Sequence, residues 1–303
     1  MPAANPNNLK ELLQSAQLPA LPHSAIRLLE LSQNPDNGPA EFAVPIEADP
    51  GLTGQVLKFV NSSYFGFSRE ISSIKLAITL VGIRTIKNFA LWSAVFSLMP
   101  NPKCGPFDLK SLWQDSLRRG LFARAMGKLS GLKEAEDLFA AALLQDMAVP
   151  LLAKELPQRY LKLFAGRTES PSRLSDLERA EFGWTHADAA ALMARTWSLP
   201  EEFARLIESH TQLPEMLAAG STDVGRLAVA LSSMLPTAGE KNWTEREAFC
   251  EAFTKIAGSS GKTPADILGQ IDKEFCDFAP VLKVAAPAVT LSQHLAGPVP
   301  AKA

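Results

Sequence analysis

The 303-residue chain has few cysteines, almost no net charge and no apolar run long enough to cross a membrane. Each scarcity excludes something. Cys104, Cys250 and Cys276 are widely spaced with no CxxC pair. They read as buried thiols of a reducing compartment rather than as a disulfide or zinc framework. A formal net charge of -2 gives no general affinity for nucleic acid or an anionic membrane. The opening Met-Pro-Ala-Ala-Asn-Pro-Asn-Asn lacks the basic start and apolar core of a signal peptide. The longest uncharged apolar stretch, Asn88 to Met99, falls short of the roughly 20 residues that a spanning helix needs. The expectation is a cytoplasmic protein with neither a membrane nor a nucleic-acid partner. Alternating strand patterns are also missing, so the expected fold is all-α.

Helix punctuation is what the chain has in abundance. Asp49-Pro50 pairs an N-cap with a proline at the first helical position, and Leu52, Val56, Phe59 and Val60 follow at helical spacing. Ser72 or Ser73, Asp108 and Thr185 are further caps, while Thr263-Pro264 and the capping box Thr244-Glu245-Arg246-Glu247 open later helices. Gly82 breaks the pattern after Val81. Pro45 should kink the helix between Pro39 and Asp49, since it removes a backbone donor. Residues 157–173 read as a connector with Gly166 and the polar stretch Ser170-Pro171-Ser172-Arg173. Asn101 to Pro106, where proline and glycine cluster and periodicity stops, is the best boundary. The expected units are a lead-in over 1–17, a helical lobe over 18–100, and a second lobe over 106–236. Helices over 237–296 should pack on that second lobe, and a frayed tail should cover 297–303.

The centre of the chain is Ala140 to Leu152, apolar almost throughout but interrupted by Gln145 and Asp146, with Pro150 marking an expected helix end or bend. A carboxylate in such a setting is costly unless it finds donors, a cation or a metal.

Leu18-Pro19-Ala20-Leu21-Pro22, Asp49-Pro50, Asn61-Ser62, Tyr64, Gly66, Ile71, Ile74, Ala77-Ile78, Gly82, Arg84 and Lys87 recur in a familiar order. Trp113, Ser116, Ala141 to Asp146, Glu181, Gly183, His186, Trp197-Ser198-Leu199-Pro200 and His210 continue it. From Leu18 to His210 the chain resembles the HDOD module, the HD-related output domain of bacterial signalling proteins. The resemblance implies an all-helical, two-lobed fold whose second lobe is related to HD phosphohydrolases.

Those enzymes hold divalent metals with a His, an adjacent His-Asp pair and a later Asp, and a metal-bound hydroxide attacks phosphorus. On this chain the first His position reads Asp115, and the pair reads Gln145-Asp146. The later Asp falls near Ala230 to Leu235, where no carboxylate stands. Asp115, Asp146, His186 and His210 are the candidate ligands for Fe, Mn, Zn or Mg. Each has a structural alternative: Asp146 paired with Arg118 or Arg119, and His210 favoured by a helix C-terminus. Asn61, Ser62, Tyr64, Arg84 and Lys87 are binding candidates, the two basic residues also reading as a solvated face.

The depleted ligand set favours a non-catalytic signalling module without a cofactor. Such a module would bind a protein partner or small messenger in trans at its inter-lobe surface. The alternative is a metal-dependent phosphohydrolase acting on a nucleotide or cyclic dinucleotide through a rearranged site.

Overall fold

In the computed structural model, residues 8–16, 18–169, 172–240, 242–282 and 284–297 are described, and among them every regular element is a helix. Ser170-Pro171 and the tail after Gly297 lie outside the described residues, as do residues 1–7 and 17 of the lead-in. The lead-in's described part is a helix, α1 (Leu9–Ser15), whose buried Leu12 and Leu13 give it a face to pack.

The first lobe comprises α2 (His23–Leu31), α3 (Pro39–Glu47), α4 (Pro50–Val60), α5 (Ile74–Val81) and α6 (Ile83–Leu98). Its punctuation works as local chemistry dictates. The Asp49 side chain accepts from the Leu52 amide, and Ser73 accepts from Leu76. Gly82 joins α5 to α6 at φ 93°, a left-handed conformation that a side chain would resist. The helix in which Pro45 was expected to make a kink, α3, runs through it to Glu47. Pro45 stands two residues from the helix end and is buried, so its missing donor disturbs only the last turn.

Residues 99–108 are irregular, and the second lobe begins with α7 (Leu109–Leu129), capped by Asp108. It continues through α8 (Ala135–Leu144), α9 (Ala148–Glu155), α10 (Pro157–Glu169), α11 (Leu174–Phe182), α12 (His186–Thr196), α13 (Glu201–Glu208), α14 (Leu213–Ala218) and α15 (Val224–Ser232). The connector expected over 157–173 is therefore largely helical, with Pro157 opening α10. The tightest pairing is α7 on α8. A β-carbon on Gly120 would lie 2.9 Å from Leu143 Cγ and 3.0 Å from the Phe139 carbonyl, and one on Gly127 would lie 2.8 Å from Leu138 Cδ1. The glycines are what let the two backbones approach.

Pro150 neither ends nor bends a helix, as its sequence position suggested. It is the third residue of α9, where the amide has no intrahelical acceptor to lose. The break comes earlier, at Gln145-Asp146-Met147, between α8 and α9.

The C-terminal helices are α16 (Arg246–Ala257), α17 (Pro264–Leu282) and α18 (Leu291–Ala296). The Thr244 capping box does not form; α16 starts at Arg246 with no side-chain cap, and Glu245 is engaged by Arg173 instead. Nor does the C-terminal unit lie on the second lobe alone. Phe278 of α17 packs 4.2 Å from Tyr64 and 5.6 Å from Phe59 (ring centroids), and Ser63 Oγ donates to Asp277 at 2.7 Å. On its other side α17 reaches α7 through the Arg124–Glu274 bond of 2.8 Å. The apolar core is accordingly continuous from Leu12 to Leu291.

Candidate functional site

The break after α8 turns Gln145 and Asp146 into the core, where they are 0% and 7% exposed. Thr185 caps α12 in a reciprocal box with Asp188, which sets His186 at the first helical position. A 3-10 turn over Ser209–Thr211 after α13 brings in His210. Asp146 Oδ1, His186 Nε2 and His210 Nε2 converge: His186 lies 3.2 Å and His210 3.7 Å from the carboxylate oxygen, and the imidazole nitrogens are 3.1 Å apart.

The far nitrogen of each imidazole is anchored. His210 Nδ1 donates to the Ile207 carbonyl at 2.6 Å, and His186 Nδ1 donates to Glu178 Oε2 at 2.6 Å. Glu178 is fully buried and also accepts from the His186 amide at 2.8 Å and from the Tyr160 hydroxyl at 2.6 Å. Sequence reasoning passed over Glu178, because nothing local separates it from the other acids of α11. Its signature is tertiary, a carboxylate whose oxygens serve three donors inside the core.

The electrostatics follow from those contacts. Burial alone would lower His186, but the Glu178 charge and the bonds to Asp146 and Glu178 outweigh it and raise it to about 9. His210 is lowered by burial and by its neighbour His186, the bond to Asp146 opposing. The surroundings therefore favour a proton on His186 over one on His210. Burial would raise Asp146, yet Arg119 and both histidines hold it well below the usual carboxylate range. The Arg119 guanidinium donates to Asp146 Oδ2. Asp115 stands apart from the converging trio: its Oδ1 accepts from the Ala238 amide at 2.7 Å, and burial raises it to about 6 against Arg119.

Asp146, His186 and His210 can each offer a metal ion one ligand atom, and these atoms lie within 4.8 Å of one another. The same donors also serve the chain: Arg119 pairs with Asp146 and the surrounding carboxylates raise His186, so an ion there would compete with a guanidinium and displace a proton. Gln145 lies beside this group; among the described residues its Nε2 has no partner, and Ser232 Oγ donates to its Oε1 at 3.4 Å. Asp115, expected as a possible fourth ligand, stands outside that three-residue group, with its Oδ1 on the Ala238 amide.

Asp146, His186, His210, Asp115 and Arg119 line the inner part of a cavity of about 890 Å³. Phe107 and Phe164 lie among its walls, with Arg167, Arg173, Ser233, Leu235, Thr237 and Glu245. No lining residue precedes Pro106, so the cavity belongs to the second lobe and its extension, not to the seam between lobes.

The other binding candidates have internal work. Asn61 donates to the Ile71 carbonyl at 2.8 Å and accepts from its amide at 2.7 Å, closing the loop between α4 and α5. Ser62 bonds the Phe59 carbonyl, and the Tyr64 ring lies 4.8 Å under the Arg124 guanidinium. Arg84 donates to the Lys133 carbonyl at 3.1 Å and pairs with Asp137 at 3.4 Å, while burial lowers Lys87. That basic pair belongs to the junction of α6 with α8 rather than to a free phosphate-binding face.

Two helical lobes bridged by a C-terminal helix, with Asp146, His186 and His210 clustered in the core of the second, define an all-helical module with one buried polar site. The chain belongs to the HDOD domain family, whose profile matches residues 18–213. An uncharacterized protein of Treponema pallidum (strain Nichols) is 26% identical over 200 residues, covering 65% of this chain and 38% of that protein. The chain thus spans less than two-fifths of the curated relative it matches. Among solved structures, an HDOD domain protein of unknown function from Geobacter sulfurreducens aligns with a TM-score of 0.72 at 20% identity, over 91% of this chain and 97% of that one. A candidate signal transduction protein from Marinobacter aquaeolei VT8 aligns with a TM-score of 0.68 at 20% identity, over 90% of this chain and 60% of that one. At these identities the likeness establishes the fold. Among the described residues, no helix is long and apolar enough to cross a membrane.

Proposed function

We propose that the chain is a non-catalytic signal-transduction module that binds a small messenger or a protein partner through the cavity of its second lobe. Family membership and the naming of the Marinobacter neighbour support the signalling class. The observation that carries the non-catalytic reading is Arg119 on Asp146: the positive charge that a metal would bring is already supplied by the chain. Hydrolysis of a phosphodiester needs an ion with an open position for water, and this cluster offers a protonated imidazole and a guanidinium instead. A cavity of about 890 Å³ is within the size range of small-molecule sites.

A second reading, a metal-dependent phosphohydrolase, is favoured by one observation: the three donor atoms lie within 4.8 Å of one another. The two readings part in a single set of measurements. Elemental analysis of the purified protein should find no stoichiometric Mn, Fe, Zn or Mg, and phosphodiesters and nucleotides should be hydrolysed no faster than in buffer. Stoichiometric metal together with turnover abolished by Asp146→Ala and His186→Ala would put the phosphohydrolase first.

A further inference from the structure

Residues 284–297 lie beyond the family-matched region and run as a strap along α7. Gln114 Nε2 donates to the Ala285 carbonyl at 2.8 Å, and Arg118 donates to the Val289 carbonyl. The strap then enters α18, which is pinned to α17: Asp272 accepts from the Leu291 amide at 2.8 Å, the Ser292 amide at 2.9 Å and the Ser292 hydroxyl at 2.6 Å. Arg246 of α16 reaches the Leu295 carbonyl at 3.4 Å. Leu291 and His294 are the helix's buried residues, 0% and 4% exposed.

The register of α7 gives these contacts a consequence. Gln114 and Arg118 hold the strap, while Asp115 and Arg119, the next residue in each case, line the cavity. One helix therefore carries the strap on one face and the ligand-facing charges on the adjacent one.

Among the described residues, two buried groups in this junction have no hydrogen-bond partner, His294 Nε2 and Arg118 Nη1. A buried imidazole without an acceptor for a second proton is stable only when neutral. The charged groups around it oppose one another. Arg118 from α7 disfavours a second positive charge, Asp272 from α17 favours it weakly, and Arg246 from α16 adds a cation at the end of the strap. Asp115 stands on the far side of Arg118, to which it is electrostatically coupled.

We infer that the strap over residues 284–297 is an acid-released clamp on α7, with His294 as its titrating element. The direction follows from linkage. Burial, and then Arg118, lower His294 from 6.5 in the docked state, and release restores the ordinary value. The released form therefore binds more protons below pH 6.5, so docking is strongest at neutral and higher pH and weakens as the pH falls. The limit on the effect is set by release alone: between about pH 7.5 and 5.5 the opening equilibrium can rise by up to about tenfold.

Hydrogen exchange over residues 284–297 of the full chain, corrected for the intrinsic pH dependence of exchange, tests this. The expected result is a several-fold rise in opening from pH 7.5 to 5.5 in the native protein and a flat profile in His294→Gln, which keeps a polar side chain but cannot be charged. An NMR titration of the native protein covers the case in which that variant fails to fold, and His294 should then titrate below 6.5. A flat native profile, an unchanged rise in His294→Gln, or a His294 titration at or above 6.5 would each overturn the clamp.

Discussion

Replacing Arg119 by methionine probes the centre of the site, because it removes a charge and keeps most of the volume. In the native protein both partners are nearly sealed, with side chains 11% and 9% exposed for Arg119 and Asp146. Deleting one member of a buried pair strands the other, at a cost of roughly 3–5 kcal/mol. For 303 residues, at about 2.1 cal/mol/K each, unfolding entropy is about 0.6 kcal/mol/K, which converts that cost to a fall in Tm of about 5–8 °C. The loss should also depend on pH. Without Arg119, the Asp146 charge draws a proton onto His210, whose protonation is disfavoured in the native protein. The deficit should therefore be smaller near pH 6 than near pH 8. Divalent zinc or manganese should now stabilise the variant, by about 2.7 kcal/mol at a hundred times the dissociation constant, and leave the native protein unmoved. Differential scanning fluorimetry at two pH values, with and without metal, reads all of this. A variant melting within about 1 kcal/mol of the native protein, the lower limit of a meaningful pair, would refute the reasoning. So would an equal metal shift in both proteins.

Gly120→Ala should destabilise by about 1–3 kcal/mol through overpacking against Leu143 and Phe139. Gly54→Ala, in α4 with nothing within 4 Å of the new methyl, should stabilise by up to about 1 kcal/mol; chemical denaturation of both variants checks the contrast. His186, raised to about 9, contributes stability that is complete below pH 6.5 and is lost as the pH rises through about 9. Melting curves from pH 6.5 to 9.5 should show that decline in the native protein and a weaker one in Glu178→Gln. Phe89→Ala, which removes a ring stacked 4.0 Å from Phe59, should cost roughly 3–5 kcal/mol. Gln145→Ala should cost about 1–3 kcal/mol, so equilibrium unfolding that ranked the glutamine change as the worse of the two would contradict the packing described above.

Local chemistry made much of this fold readable. Asp49, Ser73, Asp108 and Thr185 each accept from an amide three residues on, and a single contact inside one turn decides such a cap. Where two signals competed, the reading failed. Pro150 carries the same chemistry at a helix start as at a helix end, and only the break at Gln145 to Met147 chooses between them. The Thr244 box lost to a tertiary ion pair, since Arg173 takes Glu245 at 3.2 Å. Residues 157–169 hid a helix because proline and glycine there resemble loop punctuation. In the site, Asp146, His186 and His210 were legible as residue types in a family order, and Arg119 as one of two arginine partners. That Asp115 would turn to the Ala238 amide, and that Glu178 would orient His186, depend on chain segments far apart in sequence.

The helix α17 carries a lesson about where this protein can be cut. The family match stops at residue 213, yet Phe278 fills the gap between Phe59 and Tyr64 in the first lobe, and Glu274 meets Arg124 in the second. It acts as a splint laid across the two lobes. Chain severed at the family boundary would expose the aromatic socket that α17 plugs, leave the buried Arg124 with Glu136 as its remaining carboxylate, and open the cavity wall that Ser233, Leu235, Thr237 and Glu245 help to form. A single change in α17 would therefore be felt on both sides, at the Phe59–Tyr64 socket and at Arg124.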